Sequence, residues 1–372
     1  MRLGIAIRRL KPFGGREQDC LALAAGLAEA GDEVIVLARD AEQAMPPGVR
    51  FVSGGAAAPM DQDAPAQFAA WLGDLIRRQA FDALLSFEKG PADCYFAAEA
   101  CLAGRLDWRQ RWLPANRQAL HLEKATFDPG GPHILFPSDA HRRAYSVHYA
   151  LEPGRFTILP PIVPQRPGGA GGFYSERERL RTALGIPKAA TMAVHIATAP
   201  FEKGTDRAIA VVAALPGLYL VAAGDRRAEL QRRQAQELGC ADRVWFLDAP
   251  DDPTPLIAAA DLMLHPARTE IAGRILIDSL VAGVPAATLV DCAMSDQIRD
   301  YKAGVVAPSP FDLASFTALI GNLILPPRLD AARRNARRAS VMLTNAGQSP
   351  AVDLLKRAIS EAKQRRTGAE AN

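Results

Sequence analysis

The sequence has neither a long apolar run nor the residue patterns typical of disulfide-bonded or metal-binding proteins. Its five cysteines, Cys20, Cys94, Cys101, Cys240 and Cys292, form no Cys-x-x-Cys pair. Their apolar surroundings are typical of buried free thiols in a reducing compartment. The six histidines show no metal-ligand spacing. No stretch reaches the roughly 20 residues of a transmembrane helix, and the apolar run at the start is too short for a signal peptide. We therefore expect a cytoplasmic protein with no metal or other cofactor.

An excess of charge of one sign is also absent. Lys and Arg number 44 against 41 Asp and Glu, so the formal net charge is only +3. This balance gives no reason to expect a nucleic-acid partner. The glycine fingerprint of dinucleotide-binding proteins is missing as well, which argues against such a cofactor.

Short apolar runs alternate with helical patterns along all 372 residues. This alternation predicts an α/β protein with parallel sheets, and the length predicts two domains. Residues 160–172 are rich in proline and glycine and are predicted to link them. We expect two facing Rossmann-like domains, residues 1–162 and 163–347, with a ligand cleft between them. A last helix within residues 348–372 is predicted to return to the first domain.

A glycine pair follows the first predicted strand and precedes the first predicted helix. Gly14 and Gly15 allow close approach of a ligand to the backbone, and the helix start favours negative charge. Asp19, one turn into this helix, is a candidate for binding a sugar hydroxyl. The alternative is an ordinary glycine turn with a solvated aspartate.

Lys203 occupies the equivalent place in the second half, before a glycine and a helix start. It is well placed to neutralise a diphosphate. The alternative is a surface lysine in a turn.

Glu270 lies just beyond the end of the predicted strand at residues 262–265, where ligands collect in parallel sheets. Gly273 opens the next predicted helix, whose free N–H groups favour a phosphate. Asp278 lies about a turn and a half into that helix. These residues predict a polar site in which Glu270 stabilises positive charge on a sugar. The alternative is a solvated loop acid.

Residues 104–124 combine cations with half of the chain's four tryptophans. Such a mixture is typical of segments that bind an anionic membrane surface. The alternative is an amphipathic surface helix whose aromatic side chains cover the core. The candidate interfacial residues are Arg105, Trp108, Arg109, Arg111 and Trp112.

Several motifs together resemble glycosyltransferase family 4, whose fold is the two-domain GT-B type. The resemblance is closest to transferases of the bacterial lipopolysaccharide core. It extends over nearly the whole chain. The residues that carry it are 12–19, 87–98, 123–127, 155–161, 203–207, 258–267 and 270–273.

The resemblance implies a retaining, metal-independent transfer of a hexose, glucose, from a UDP-sugar donor. The acceptor would be a lipid-linked glycan of the lipopolysaccharide core or a similar cell-envelope glycan. It implies that Lys203 binds the donor, that Glu270 is the first motif acid, and that Asp19 contacts the sugar from the first domain. The segment at 104–124 corresponds to the family's membrane-binding patch, so the protein would be peripheral on the inner membrane.

Two positions depart from the family pattern. Glu202 stands where a cation usually precedes the donor lysine, and Asp278 stands where a second glutamate usually holds the ribose. Arg274 is predicted to supply the missing cation to the donor. The departures leave two rival functions open. One is a family 4 transferase with another donor or acceptor, and the other is a degenerate homologue that binds a glycan or a protein without catalysis.

Overall fold

The computed structural model describes residues 1–11, 14–53, 64–78, 80–163, 174–224, 228–347 and 349–370. Pro12 and Phe13 of the glycine motif, and most of the predicted linker, lie outside these ranges. The chain divides into two compact units, Met1–Pro164 with Gly347–Asn372, and Gln165–Ala346. Each unit is an α/β layer structure, so the predicted class of two Rossmann-like units is confirmed.

The first unit is built on a parallel sheet of seven strands in the described residues, with the order β5-β3-β1-β6-β7-β8-β9. β2 and β4 form a separate parallel pair. The strands are β1 Arg2–Ala6, β2 Arg9–Leu10, β3 Glu33–Ala38, β4 Asp40–Ala41, β5 Val49–Ser53, β6 Ala83–Ser86, β7 Cys94–Phe96, β8 His133–Phe136 and β9 Phe156–Ile158.

Helices cover both faces of this sheet, as its apolar strands require. Buried side chains of β1 pack with those of α1 and α15 on one face, and those of α2 pack on the other. The C-terminal helix α15 thus belongs to the first unit. The helices are α1 Gly15–Glu29, α2 Ala64–Arg77, α3 Leu102–Arg105, α4 Pro114–Phe127, α5 Asp139–Ser146 and α15 Ser349–Glu370.

The second unit has a parallel sheet of six strands in the described residues, with the order β12-β11-β10-β13-β14-β15. The strands are β10 Thr191–Ile196, β11 Leu218–Gly224, β12 Val244–Asp248, β13 Leu262–His265, β14 Ala286–Leu289 and β15 Gly304–Ala307. The helices are α6 Tyr174–Ala183, α7 Pro200–Lys203, α8 Thr205–Ala214, α9 Glu229–Glu237, α10 Thr254–Ala259, α11 Arg274–Val281, α12 Ser295–Asp300, α13 Leu313–Leu323 and α14 Pro326–Ala346.

The strand order reverses at one point in each sheet. β1 lies between β3 and β6, and β10 lies between β11 and β13, so consecutive connections leave in opposite directions there. The carboxyl ends of strands at such a point form a crevice that holds ligands. In the second unit the chain leaving β10 carries Lys203, and the chain leaving β13 carries Glu270. The topology therefore brings these two segments to one sheet edge.

Within the described ranges, none of the helices combines the length and apolar character needed to cross a membrane.

Candidate active site

Lys203 and Glu270 meet at the carboxyl edge of the second sheet. The Lys203 Nζ atom lies 2.8 Å from Glu270 Oε2 and 3.3 Å from the carbonyl oxygen of Thr269. Gly204 ends α7 with a φ of 75°, and a Cβ there would lie 2.2 Å from the carbonyl oxygen of Pro266. Only glycine fits between the two loops, so this residue lets Lys203 reach Glu270.

The carboxylate of Glu270 accepts hydrogen bonds from three different segments. In addition to Lys203, His265 Nε2 lies 2.8 Å from Oε2, and the Gly273 N–H donates to Oε1 at 3.1 Å. The Glu270 side chain is largely buried, with 9% of its surface exposed. A solvated loop acid does not fit this environment.

Glu270 remains ionised despite its burial. Burial by itself raises the pKa of the carboxyl, but the hydrogen bond from His265 and the charge of Lys203 outweigh that effect. The pKa of Glu270 therefore lies well below its ordinary value. The site holds a permanent negative charge next to a partly exposed cation.

The N-terminus of α11 is bonded to the carboxylate of Glu270. Gly273 is the N-cap, with a φ of 67°, and a Cβ there would lie 2.9 Å from the carbonyl oxygen of Ala293. The sequence predicted that this helix start favours an anion, and the structure places the Glu270 carboxylate against it. One backbone donor of the predicted phosphate site is therefore already bonded to Glu270.

Arg274 and Asp278 form a pair one turn apart on α11. The Arg274 Nε atom lies 3.3 Å from Asp278 Oδ1, and both side chains are largely buried. The structure thus brings the predicted extra cation to the predicted ribose-binding acid.

Arg268 connects the loops that carry Lys203 and Glu270, and the sequence did not predict this contact. Arg268 makes two hydrogen bonds of 2.7 Å to Asp206 and lies 4.0 Å above the ring of Phe201. The N–H of Arg268 also donates to the carbonyl oxygen of Glu202 at 2.8 Å. A bidentate arginine pair of this kind fixes orientation as well as distance.

His265 is the second residue that the sequence analysis missed. It ends the apolar run of β13, and its side chain is fully buried. Its position could have predicted a site residue, because it is a polar residue at the end of a buried strand and ligand-binding side chains collect at that edge.

The first unit presents the glycine pair and Asp19 at the start of α1. Gly14 is the N-cap, and a Cβ there would lie 1.8 Å from Glu17 Oε2, so another residue at this position would displace the end of the Glu17 side chain. Asp19 is only 2% exposed, which contradicts the alternative of a solvated aspartate. The structure places Gly14 and Gly15 at the start of α1, and Asp19 follows about one turn later.

A network of ion pairs near this helix start was also missed. Glu123 is fully buried, and Lys89 Nζ lies 2.6 Å from its Oε2 and 3.5 Å from Glu99. Arg16, in the first turn of α1, lies 3.0 Å from Glu99 and 3.2 Å from Glu88. These contacts join α4, the ends of β6 and β7, and α1 into one charged cluster.

The candidate interfacial segment consists of three separate elements rather than one amphipathic helix. α3 and α4 flank a single turn of 3₁₀ helix at Gln110–Trp112. Trp108 and Trp112 are 70% and 71% exposed, so the alternative in which they cover the core is wrong. The guanidinium of Arg109 lies 5.1 Å from the ring centre of Trp108. Arg105 and Arg111 are exposed as well.

No group of three or more His, Cys, Asp or Glu that could hold a metal ion occurs in the part of the chain that the structure describes.

Known proteins match this chain in sequence and in structure. A family model described as glycosyl transferases group 1 matches residues 176–340. The lipopolysaccharide glucosyltransferase WaaG of Escherichia coli (strain K12) is 30% identical over 328 residues, which cover 84% of this chain and 86% of the relative. The D-inositol 3-phosphate glycosyltransferase of Mycobacterium marinum is 26% identical over 360 residues, covering 84% and 73%.

The solved structure of WaaG, a glycosyltransferase involved in lipopolysaccharide biosynthesis, matches with a TM-score of 0.83 and 27% identity. The match covers 95% of this chain and 99% of that one. Sequence and fold therefore agree over nearly the whole length, and this chain belongs to the group 1 glycosyltransferases, with the GT-B type of fold.

Proposed function

We propose that this chain is a retaining glycosyltransferase that moves glucose from UDP-glucose to a lipopolysaccharide-core or similar cell-envelope acceptor. The observation that carries the proposal is the contact of Lys203 with an ionised, buried Glu270 at the start of α11. A cation, a fixed anion and a helix N-terminus within one hydrogen-bonded group provide opposite charges for the two ends of a breaking glycosidic bond.

Lys203 and the N-terminus of α11 stabilise the departing diphosphate, because both supply positive charge where negative charge develops. Lys203 is 29% exposed on its side chain, so a phosphate can approach it. The side chain and the helix supply the neutralising charge, so this step needs no metal ion.

Glu270 stabilises the positive charge that develops on the donor sugar. A carboxylate whose pKa is held low stays negative throughout the neutral range and does not take up the proton of a departing group. Its three hydrogen bonds fix its direction before the donor arrives, so little reorganisation is needed in the transition state. Asp278 on α11 holds the ribose, with Arg274 beside it. Asp19 is assigned to the sugar from the first unit.

The acceptor assignment is supported by the WaaG relative, whose name states a lipopolysaccharide glucosyltransferase. The exposed tryptophans and arginines at 105–112 add a second line of support, since indole and guanidinium groups suit the headgroup region of an anionic membrane. We therefore propose a cytoplasmic enzyme, peripheral on the inner membrane, with a lipid-linked glycan as its acceptor.

A second candidate is a transferase of the same family with a different acceptor. The match to D-inositol 3-phosphate glycosyltransferases, which covers 84% of this chain for the Mycobacterium marinum relative, favours it. The two candidates share the donor site and differ in what the first unit binds.

The test begins with calorimetric titration of the purified protein with UDP and then with UDP-glucose. We expect dissociation constants of about micromolar order and glucose transfer to a lipopolysaccharide-core acceptor. Lys203→Met should weaken UDP binding at least about tenfold, since it removes a charge-assisted contact to the diphosphate. Absence of binding to either ligand by the folded wild-type protein would refute the donor assignment. Binding with transfer only to another acceptor, such as inositol phosphate, would favour the second candidate.

A further inference from the structure

His265 is a fully buried histidine with one polar partner in the described part of the chain. Its Nε2 atom lies 2.8 Å from Glu270 Oε2, and its Nδ1 atom has no hydrogen-bond partner there. Burying a polar side chain costs free energy unless hydrogen bonds compensate, and an apolar residue would fill this place without that cost. The hydrogen bond to Glu270 is therefore the interaction that a histidine makes at this position and a leucine could not make.

Both neighbouring strands fix the position of His265. On one side, Thr288 of β14 is aligned with it and donates its hydroxyl to the His265 carbonyl oxygen at 3.0 Å. On the other side, the ring of His195 in β10 lies 6.3 Å away. The nitrogens of His195 bond elsewhere, to the Leu264 carbonyl oxygen and the Thr205 hydroxyl. These contacts hold the strand at His265, whose imidazole directs Nε2 at Glu270.

Lys203 and His265 contact the same oxygen of Glu270, but their side chains differ in solvent exposure. The Lys203 side chain is 29% exposed, whereas the His265 side chain is fully buried. A diphosphate can attract the exposed lysine and so draw it from Glu270. It has no comparable access to the histidine, which stays bonded to the carboxylate.

We propose that His265 is a positioning residue that keeps the Glu270 carboxylate in place when Lys203 turns to the donor diphosphate. Lys203 can then leave Glu270 and bind the leaving group. His265 stays bonded to Glu270 and keeps its carboxylate oriented towards the donor sugar. The Gly273 N–H assists by holding the second carboxylate oxygen at 3.1 Å. This inference rests on the proposed function, because it takes Lys203 as the diphosphate ligand.

The first test compares two variants of nearly equal shape, His265→Gln and His265→Met. Glutamine can place an N–H donor near Glu270, and methionine cannot. We expect His265→Met to lower kcat for glucose transfer from UDP-glucose by about a hundredfold, as misplacement of a reacting group by about 1 Å does. We expect UDP affinity to remain within about threefold of wild type, because the diphosphate contacts remain. His265→Gln should retain most of the wild-type kcat.

His195→Gln is the matched control, because His195 is equally buried but bonds to Leu264 and Thr205 rather than to Glu270. We expect it to destabilise the protein without a comparable loss of kcat. Equal losses of kcat in the glutamine and methionine variants at position 265 would overturn the proposal. A loss in His195→Gln as large as in His265→Met would do the same, since it would indicate a general packing effect.

A second test needs no substrate and uses the acid range. The groups that face Glu270 are Lys203 from α7, His265 from β13 and the thiol of Cys292, whose pKa burial raises to about 11. The folded state lowers the pKa of Glu270 below its ordinary value of 4.5, so the ionised carboxylate stabilises the fold above that pH. That contribution is lost as the pH falls below it.

The measured quantity is the free energy of unfolding of the glutamine and methionine variants, neither of which titrates at position 265. We expect the glutamine variant to be more stable at neutral pH, and the difference to shrink as the pH falls through the lowered pKa values of Glu270 in the two folded variants. A difference that does not change with pH would contradict the inference. If this profile is observed but wild-type protein transfers no sugar, the proposed function fails and the His265–Glu270 coupling stands.

Discussion

Glu270 and Glu123 are two buried glutamates, one in each unit, that are bonded in almost the same way. Each accepts a hydrogen bond from a lysine, Lys203 or Lys89, and at least one from a backbone N–H group at the start of a helix. Burial raises the pKa of each carboxyl, and the lysine and hydrogen bonds more than offset it, so both pKa values are lowered. The local chemistry alone does not distinguish the proposed catalytic acid from a structural one.

The difference lies in the lysine and in what surrounds the pair. Lys203 is 29% exposed and Lys89 only 11%. Lys89 also contacts Glu99, and Glu123 also accepts the hydroxyl of Tyr149 at 2.8 Å. The pair in the first unit is therefore closed by further protein contacts, whereas Lys203 is open to a ligand. The solvent exposure of the lysine therefore distinguishes an ion pair that can exchange partners from one that stabilises the fold.

The largest expected effect is the loss of glycosyl transfer in Glu270→Gln. Glutamine keeps an acceptor for the Gly273 N–H, but it loses the negative charge and presents an amide donor towards Lys203 or His265. We expect kcat for transfer from UDP-glucose to fall about a thousandfold, as when a main electrostatic group of an active site is removed. Glu270→Ala should abolish transfer as well, with the fold intact.

The matched variant is Glu123→Gln, which removes the charge of the corresponding acid in the first unit. Its kcat in the folded protein should stay within about threefold of wild type, because Glu123 acts on the fold and not on the reacting sugar. Comparable losses of kcat in both variants would remove the distinction between the two pairs. Retained transfer in Glu270→Gln would count against the catalytic assignment.

Stability should respond in the opposite order. Glu123→Gln leaves Lys89 buried with a weaker partner and weakens the bonds that start α3, so we expect the free energy of unfolding to fall by about 3 kcal/mol. Glu270→Gln should cost less, since Lys203 can turn to solvent. Urea unfolding of the purified variants measures both values. Glu178→Gln, at an exposed pair 3.7 Å from Lys188, is the control and should cost less than about 1 kcal/mol.

The sequence was sufficient to predict the sheets and the two segments that meet in the second unit. Lys203 and Glu270 each follow an apolar run that ends in a small-residue turn, and parallel strands place such turns at one edge. The pattern is local, so it can be read without knowing which strands are neighbours. The same logic could have included His265, which is the last residue of β13.

The pairing of Lys89 with Glu123 could not be predicted in this way. The two residues are 34 positions apart, and their contact depends on where α4 packs and on which way each side chain points. Side-chain direction also decided the outcome for Trp108 and Trp112. Their spacing of four residues suits a helix face, covered or exposed, but the chain at Gln110–Trp112 forms only one 3₁₀ turn. Residue spacing therefore could not settle whether the tryptophans cover the core.

The smallest of these effects concerns the candidate interfacial segment. It extends the comparison from buried charge to surface charge. Replacing Trp108, Arg109, Arg111 and Trp112 together by alanine should weaken binding to vesicles of anionic phospholipid. Two arginines near a membrane contribute about 1 kcal/mol each, so their loss alone weakens binding about thirtyfold, and the indoles add to this. Cosedimentation with the vesicles measures the change, and circular dichroism confirms that the variant is folded.

The experiment needs a control that removes the same charge and similar apolar surface from a different place in the protein. α14 in the second unit offers a matched set, since Arg334, Arg338, Val341 and Met342 are all exposed. Alanine at these four positions removes the same two charges and a comparable kind of apolar surface. If vesicle binding depends on the segment at 105–112, the α14 variant binds as wild type does. If both variants lose affinity equally, overall charge attracts the protein to the membrane and the tryptophan segment has no special part in it.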